Sequence, residues 1–542
     1  IRNLNDLKGR KLILGPKADA ETNAAAVESL SDAKLEQHIT METAGSIESG
    51  VYAVSDGDVA ATIITDYLPP LLEGCGKIAK GELRVIAKTK PVPFVEVFAV
   101  GHITDEEEQR LRNALEQVGR NADLLKFLES KTGFVSVAAE EIAKETERSP
   151  QSKLSDWTDW RGTGRDGQFA GLPQSFPQEL NTLWTAKVTG PALAGIAATE
   201  EFVVVPDKDV GLMRDIFRCF NAKTGAELWT LEYPAETKLE YTNAPRANPV
   251  IHEGLVYLLG ALGDLHCVEL ATGKVIWRKH FRKDFGAERP HWGWSSPPLV
   301  VEEKLIINPG AKDASLVALD RKTGKTLWQT PGHAAAYSAL LLGTFSGVRQ
   351  IVGYDVAELG GWDPKTGKRL WEVIPPRRSD FNVGTPLVLG NTLLVATENN
   401  ATRVYSFDKT GKLNPQPTVV NEDLAPDTCS PVLSGDRVFC SGYGELFCLD
   451  RKQNFKTVWG ELNDFFYDHT NIIAGNNRIL VWTTGGDLLL IAADKDTYTQ
   501  LAHIRPFGKR KVESTSHPAL MKDRIYLRDS QELKCLSWKA KP

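Results

Sequence analysis

One short pattern occurs eight times between about residue 218 and the C-terminal end, and it restricts the fold more than any other feature. An apolar strand ends in a small residue, an apolar residue and usually an acid, and a turn of the Lys-Thr-Gly type follows. The first copy reads Arg218-Cys219-Phe220-Asn221-Ala222-Lys223-Thr224-Gly225, and the second runs from His266 to Gly273. With the small residue as a ruler, Cys219, Cys267, Ala318, Gly361, Ser406, Cys448, Ala492 and Cys535 follow one another at 42 to 51 residues. Self-similarity at such a period marks a repeat architecture.

Each copy has the same internal order. Ser430-Pro431-Val432-Leu433 leads to a turn at Ser434-Gly435-Asp436. Then come Arg437-Val438-Phe439-Cys440, the ruler strand Leu446-Phe447-Cys448-Leu449, and a last strand near Trp459. Four short strands per 40 to 50 residues predict the blades of a β-propeller, with a β-sandwich as the alternative. Six of the 13 tryptophans (Trp184, Trp229, Trp277, Trp328, Trp371 and Trp459) fall on the fourth strand, which marks them as wedges between blades rather than ligand stackers. Trp184 precedes the first ruler by almost a whole blade, and the last repeat ends at Trp538 with no fourth strand. Residues 182–187 are therefore expected to complete the eighth blade and close the ring, which removes exposed sheet edges. Eight blades are expected, with seven as the runner-up.

Composition adds limits. A chain of 542 residues with 42% hydrophobic and 25% charged residues is folded protein of more than one domain. The net charge of −6 gives no global attraction for nucleic acid, and no apolar run reaches membrane-spanning length. The start at Ile1, without Met or a signal-like apolar stretch, reads as a mature or trimmed form.

The Thr-Gly-x-x-Leu/Ile-Trp ending, the ruler strand and the eight-fold count resemble the pyrroloquinoline-quinone-like (quinoprotein-like) propeller repeats. The lead-in Trp157-Thr158-Asp159-Trp160-Arg161-Gly162-Thr163-Gly164-Arg165-Asp166-Gly167 is similar to the opening of secreted bacterial members. The resemblance covers about residues 157–540 and implies an extracytoplasmic, periplasmic setting. It spans dehydrogenases and outer-membrane assembly scaffolds alike.

Residues 1–139 have another rhythm, strands alternating with helices, which predicts an α/β lobe. Strands are expected at 12–14, 59–64, 83–87 and 94–100. Helices are expected through 24–27, at 51–54 and, capped by Thr104 and Glu107, over 105–120. Asp6-Leu7-Lys8-Gly9-Arg10-Lys11, Gly45-Ser46, Gly57-Asp58-Val59-Ala60-Ala61 and Thr89-Lys90-Pro91-Val92-Pro93 resemble one lobe of phosphate/phosphonate-type periplasmic solute-binding proteins. Asp19 and Glu21 in the loop where such a lobe would hold an oxyanion argue against anion binding and for a docking module. Residues 140–156 read as a polar linker and 157–542 as the propeller.

Four of the seven cysteines (Cys219, Cys267, Cys448, Cys535) sit at the ruler position and are expected to be structural thiols packed against the next blade. A local Cys440–Cys448 disulfide is left open, on the assumption of a three-residue loop at 443–445. Quinone catalysis in the resembled superfamily implies adjacent cysteines, and this chain has no Cys-Cys pair and no Cys-x-x-Cys-His haem site. No His-x-x-x-His or Walker spacing occurs either. No catalytic residue is assigned and no cofactor is expected, pyrroloquinoline quinone with calcium being the alternative.

A candidate ligand site comes from the residues preceding proline at the start of the innermost strands: Asn248, Ser296, Thr385, Ser430 and His517. They are expected to ring one channel mouth, with Arg246, His291, Trp292, Trp294, Asp427, Asp468 and His469 nearby. The resulting expectation is a non-catalytic binding or scaffold protein whose partner is another protein or a small ligand. The alternatives are a quinoprotein oxidoreductase acting on alcohols or sugars and a phosphate/phosphonate sensor. The sequence leaves any metal and the oligomeric state open.

Overall fold

In the computed structural model of the chain, each of six ruler residues lies opposite the tryptophan of its own repeat. Cys219 pairs with Trp229, Cys267 with Trp277, Ala318 with Trp328, Gly361 with Trp371, Cys448 with Trp459 and Cys535 with Trp184. A register shift follows the ruler in all six ladders. Such a bulge re-aims the side chain beside it. The ruler residue is small because the indole of its own blade crosses it: a Cβ at Gly361 would run into the Trp371 ring. The ruler side chain also faces the next blade as expected, Cys267 Sγ lying 3.8 Å from Arg321 O.

The indoles then reach the neighbouring blade. Nε1–H of Trp184 donates to Ala222 O at 3.0 Å, that of Trp229 to Leu270 O at 2.7 Å, and that of Trp277 to Arg321 O at 3.1 Å. Gly225, in the Thr-Gly turn, has φ 72°, and a Cβ there would stand 2.7 Å from the Trp184 ring. Both demands leave glycine as the fitting residue. At Trp184, Trp229, Trp277 and Trp328 the motif is thus a lock in which the turn of one blade caps the tryptophan of the blade before it; Trp371 donates instead to Gln350 of its own blade.

Eight four-stranded antiparallel sheets result. Their first strands (Ala197–Ala198, Val250–His252, Leu299–Val301, Leu341–Phe345, Leu387–Leu389, Val432–Ser434, Thr470–Gly475 and Ala519–Met521) begin blades 1 to 8. First strands touch between blades 6 and 7, 8 and 1, and 1 and 2, as strands around a hub do. Blade 8 is completed by Asn181–Lys187, paired from Glu532↔Lys187 to Ser537↔Asn181, so the ring closes with eight blades as expected. At the seam, Arg528 of blade 8 meets Asp207 of blade 1 at 3.2 Å, both fully buried.

The chain divides into two compact units, Ile1–Val137 and Ala138–Pro542. The residues described are 3–15, 20–44, 47–65, 68–74, 78–79, 81–89, 110, 113–115 and 117 of the first, and 156–377, 380 and 382–539 of the second. In the first unit Lys11–Leu14 pairs in parallel with Thr40–Thr43 on one side and Ala61–Thr62 on the other. Helices Ala20–Asp32 and Ile47–Ser55 connect them, the expected α/β arrangement. The strand foreseen over 59–64 is reduced to Ala61–Thr62. The one foreseen at 83–87 does not form, because it finds no ladder partner and leaves Val85 67% exposed. The strand expected at 94–100 and the linker over 140–155 lie outside the described residues, as does most of the helix expected at 105–120.

The structure also overturns the premise for a Cys440–Cys448 disulfide. Tyr443-Gly444 is a two-residue turn, both with positive φ, so Cys440 pairs with Phe447 and Cys448 with Phe439. An offset of one residue puts the two thiols on opposite faces of the sheet. All six described cysteines are free and buried, and burial pushes the four ruler thiols up to about 12, the behaviour of small apolar residues.

Candidate functional site

The hub is filled by the chain's own lead-in. Two tryptophans and two arginines within nine residues (Trp157, Trp160, Arg161, Arg165) need both burial and many acceptors. The ends of eight inner strands supply both. Trp157 exchanges backbone hydrogen bonds with Ala198 of blade 1 at 2.8 and 2.9 Å, and Thr158 O accepts from Ile251 N of blade 2 at 2.8 Å. Arg165 donates to Pro298 O before blade 3 and to Leu340 O before blade 4, the latter at 2.9 Å. Trp160 Nε1–H reaches Thr385 Oγ1 of blade 5 at 3.1 Å, and Arg161 reaches Pro431 O of blade 6 at 2.6 Å. Ala474 N of blade 7 donates to Gly167 O at 2.8 Å. Trp157 and Trp160 pack on His517 of blade 8 with ring centroids 5.9 and 5.2 Å apart. Residues 157–168 therefore touch every blade.

The segment enters and leaves on the side of the turns between first and second strands. Trp157 runs antiparallel to blade 1's inner strand, and Gln168 runs parallel to blade 7's toward Asn476, whose side chain donates to Leu172 O at 2.9 Å. Its tip stands at the level of the pre-proline ring. Asn248, Ser296, Thr385 and His517 are consequently buried, and Ser430 partly so. Thr385 N donates to Ser430 Oγ at 2.9 Å. Burial pushes His517 down to about 3, leaving it a neutral ring under two indoles.

The companions expected around the ring scatter. Arg246 bonds the carbonyls of Glu240 and Thr242, while His291 and Trp292 both meet Glu240 Oε2, at 3.1 and 2.8 Å. Trp294 is only 2% exposed, donates to Pro309 O and packs edge-on to Phe281, so it belongs to the core between blades 2 and 3. Asp427 is exposed, and His469 is partly buried beside Asn471, with its pKa lowered by burial. Asp468 lines an open cleft of about 560 Å³ with Asp464, Phe465, Tyr467, Thr484 and Asp487.

That cleft lies on the face formed by the turns between second and third strands and by the connections between blades. The exposed large apolar residues at turns gather on this face: Val210, Leu212, Met213, Tyr241, Val356, Ile374, Tyr443 and Tyr467, with Leu462 at the end of the strand beside them. The opposite face shows Lys-Thr-Gly turns and turns such as Glu302-Glu303 and Asn476-Asn477, and among the described residues none of its turns exposes a large apolar side chain. Sequence reasoning missed this division, although strand order alone assigns every turn to one face or the other.

Among the described residues one cluster has metal-ligand chemistry: His333, Asp355 and Glu358, with ligand atoms within 4.8 Å of one another. Arg369 already balances it, meeting Glu358 at 2.5 Å while stacked over Trp362 at 4.8 Å.

Residues 181–304 and 212–461 match the family described as outer membrane protein assembly factor BamB, a span of more than half the chain. The chain belongs to this family. BamB-type repeats account for the propeller, and residues 1–142 match a second family, the periplasmic substrate-binding protein of phosphonate ABC transporters. Among curated relatives, quinoprotein alcohol dehydrogenase PedH of Pseudomonas putida is 26% identical over 165 residues, 29% of this chain and 27% of PedH. The match thus spans about a quarter of that relative's length. Among solved structures, a europium-containing methanol dehydrogenase superposes with a TM-score of 0.51 at 11% identity, over 72% of this chain and 100% of that one. Quinohemoprotein alcohol dehydrogenase from Comamonas testosteroni gives 0.50 at 11% identity, over 73% and 82%. These likenesses show the fold. A planar quinone and its calcium do not fit the hub of this BamB-family chain as it stands. Trp157, Trp160 and Arg161 take the space at the level of the ring, and Arg161 and Arg165 are committed to backbone carbonyls and Asp159. No helix among the described residues is long and apolar enough to cross a membrane.

Proposed function

We propose that this chain is a non-catalytic binding or scaffold protein of the cell envelope, one face of its propeller presenting exposed aromatic and aliphatic residues to a partner protein. The observation that carries the reading is the contrast between the faces. Tyr443, Leu462 and Tyr467 stand 64 to 81% exposed on one side, while the turns of the other are polar. Apolar groups concentrated on one surface mark interaction sites. A hub sealed by residues 157–168 favours surface recognition over chemistry in the channel. The matched family descriptions, an outer membrane assembly factor and a periplasmic binding protein, support the extracytoplasmic setting and a protein partner.

The test is photo-crosslinking in the envelope from a benzoylphenylalanine at Tyr443 or Tyr467, against one at Thr410 on the opposite face. Discrete protein adducts are expected from the first two and none from the third; equal adducts from both faces overturn the reading. The matched alcohol dehydrogenases keep an oxidoreductase as the second reading. Purified protein supplied with pyrroloquinoline quinone, Ca²⁺ and a primary alcohol is expected to leave a redox dye unreduced, and reduction refutes the proposal.

A further inference from the structure

Arg161 brings a positive charge into the hub while only 1% exposed, and its hydrogen bonds run to Pro431 O and Ser430 O. Nη1 has no hydrogen-bond partner among the described residues. A buried guanidinium without an anion is costly, so the groups facing it matter. Cys429, Asp166 and Cys440 are the groups whose negative charge would favour its charged form, against the opposing effect of burial. Cys429 and Cys440 are 2% and 0% exposed, on the approach to blade 6 and on its second strand.

The two cysteines also meet. The Cys440 thiol lies 3.6 Å from Cys429 O and donates to it, which seats its sulfur beside the Cys429 residue. Thr470 Oγ1–H donates to Cys429 Sγ at 3.7 Å, and Ser441, hydrogen-bonded to Thr470, adds a further donor. The Cys440 thiol, then the Ser441 and Thr470 groups, hold Cys429 below the ordinary thiol range against the opposing effect of burial. Cys440 is pushed up, by burial first. Hydroxyl donors around one sulfur, with a guanidinium bonded to the carbonyls of the two residues that follow it, favour a thiolate there.

We propose that Cys429 and Cys440 form a redox-active dithiol that closes to a disulfide, with Cys429 the attacking thiolate and a small-molecule or protein disulfide the oxidant. Cys429 Sγ bonds to one sulfur of the oxidant and expels the other as a thiolate, which takes up a proton. Cys440 loses its proton to water and attacks Cys429 Sγ, releasing the second oxidant sulfur. Two cysteine thiols give up two electrons and two protons, and one external disulfide becomes two thiols. Closure removes the anion facing Arg161, so oxidation loosens the seating of residues 157–168. Because that segment covers the pair, exchange proceeds when it lifts or before it docks during folding.

The experiment treats the whole chain with oxidised glutathione, once folded and once during refolding from urea. Thiols are then trapped with N-ethylmaleimide in denaturant, and tryptic peptides are read by mass spectrometry. A linkage between peptides 413–437 and 438–451 is expected. It persists in Cys448→Ala and disappears in Cys429→Ser. Amide exchange over residues 157–168 is expected to be faster in the oxidised protein than in the reduced one. No linkage under either treatment, or a linkage made through Cys448, overturns the proposal; equal exchange rates overturn the coupling to the hub segment.

Discussion

Replacing Trp184 by Ala tests the lock and the ring closure together. The side chain is 8% exposed, so it buries on the order of 200 Å², worth about 5 kcal/mol at ~25 cal/mol/Å² as an upper bound. Its Nε1–H donates to Ala222 O, but that carbonyl also accepts from Tyr526 and Arg524 at 3.4 Å, so truncation leaves no orphaned acceptor. A loss of about 3–5 kcal/mol follows, the range for removing a buried tryptophan. All 13 tryptophans lie at residue 157 or beyond, so urea unfolding followed by indole fluorescence reports the propeller without the first unit. Trp277→Ala is the matched control: it is 9% exposed, capped by Gly324, and donates to Arg321 O, which also accepts from Tyr257. Both variants are expected to lose similar stability, but Trp184→Ala alone should speed amide exchange over residues 181–187, because only there does the lock also hold the closing strand. A loss under about 1 kcal/mol, or unchanged exchange over that strand, would refute the reasoning.

Gly225→Ala meets a positive φ and the Trp184 ring together, and is expected to cost about 2–3 kcal/mol by urea midpoint. Gly254→Ala, with φ 74° and open space around it, should cost about 1 kcal/mol, so equal losses would argue against the lock. His517 is held near 3 in the native state against ~6.5 when exposed. Between those values the unfolded chain binds the proton and the folded chain does not. Stability is therefore full above pH ~6.5 and declines on acidification, by up to about 1.4 kcal/mol per pH unit from this residue. His517→Gln should flatten the profile between pH 6.5 and 4 relative to wild type, and parallel profiles would contradict this. Arg165→Met leaves Asp159, 13% exposed, without its 2.8 Å partner and should cost about 3–5 kcal/mol. Adding Asp159→Asn should restore part of that stability, and full additivity of the two losses would show that the pair is not coupled.

The ruler, the Thr-Gly turns and the fourth-strand tryptophans were legible because each blade repeats the same local chemistry, and repetition makes a weak strand signal strong. The α/β order of the first unit was legible for another reason: Lys11–Leu14 and the helix that follows it are consistent with local propensity. The strand expected at 83–87 failed because a strand needs a partner, which no window of sequence contains. The candidate site was legible only in part. The pre-proline positions of Asn248, Ser296, Thr385, Ser430 and His517 follow from the repeat, but their expected openness does not. Nothing in Trp157–Gly167 says that it folds back into the ring formed by the residues that follow it.

By itself, then, the sequence determined the number of blades, the closing strand and the wedge residues, since all of these follow from periodicity along one chain. Tertiary structure alone decided that the hub is sealed, that Trp294 is core, that Cys440 turns away from Cys448 toward Cys429, and that exposed apolar residues share one face. Each of those depends on residues distant in sequence meeting in space, from Cys429 with Cys440, 11 apart, to Trp157 with His517, 360 apart. Long-range meetings of this kind are set by how the blades close on one another, and no local pattern encodes them.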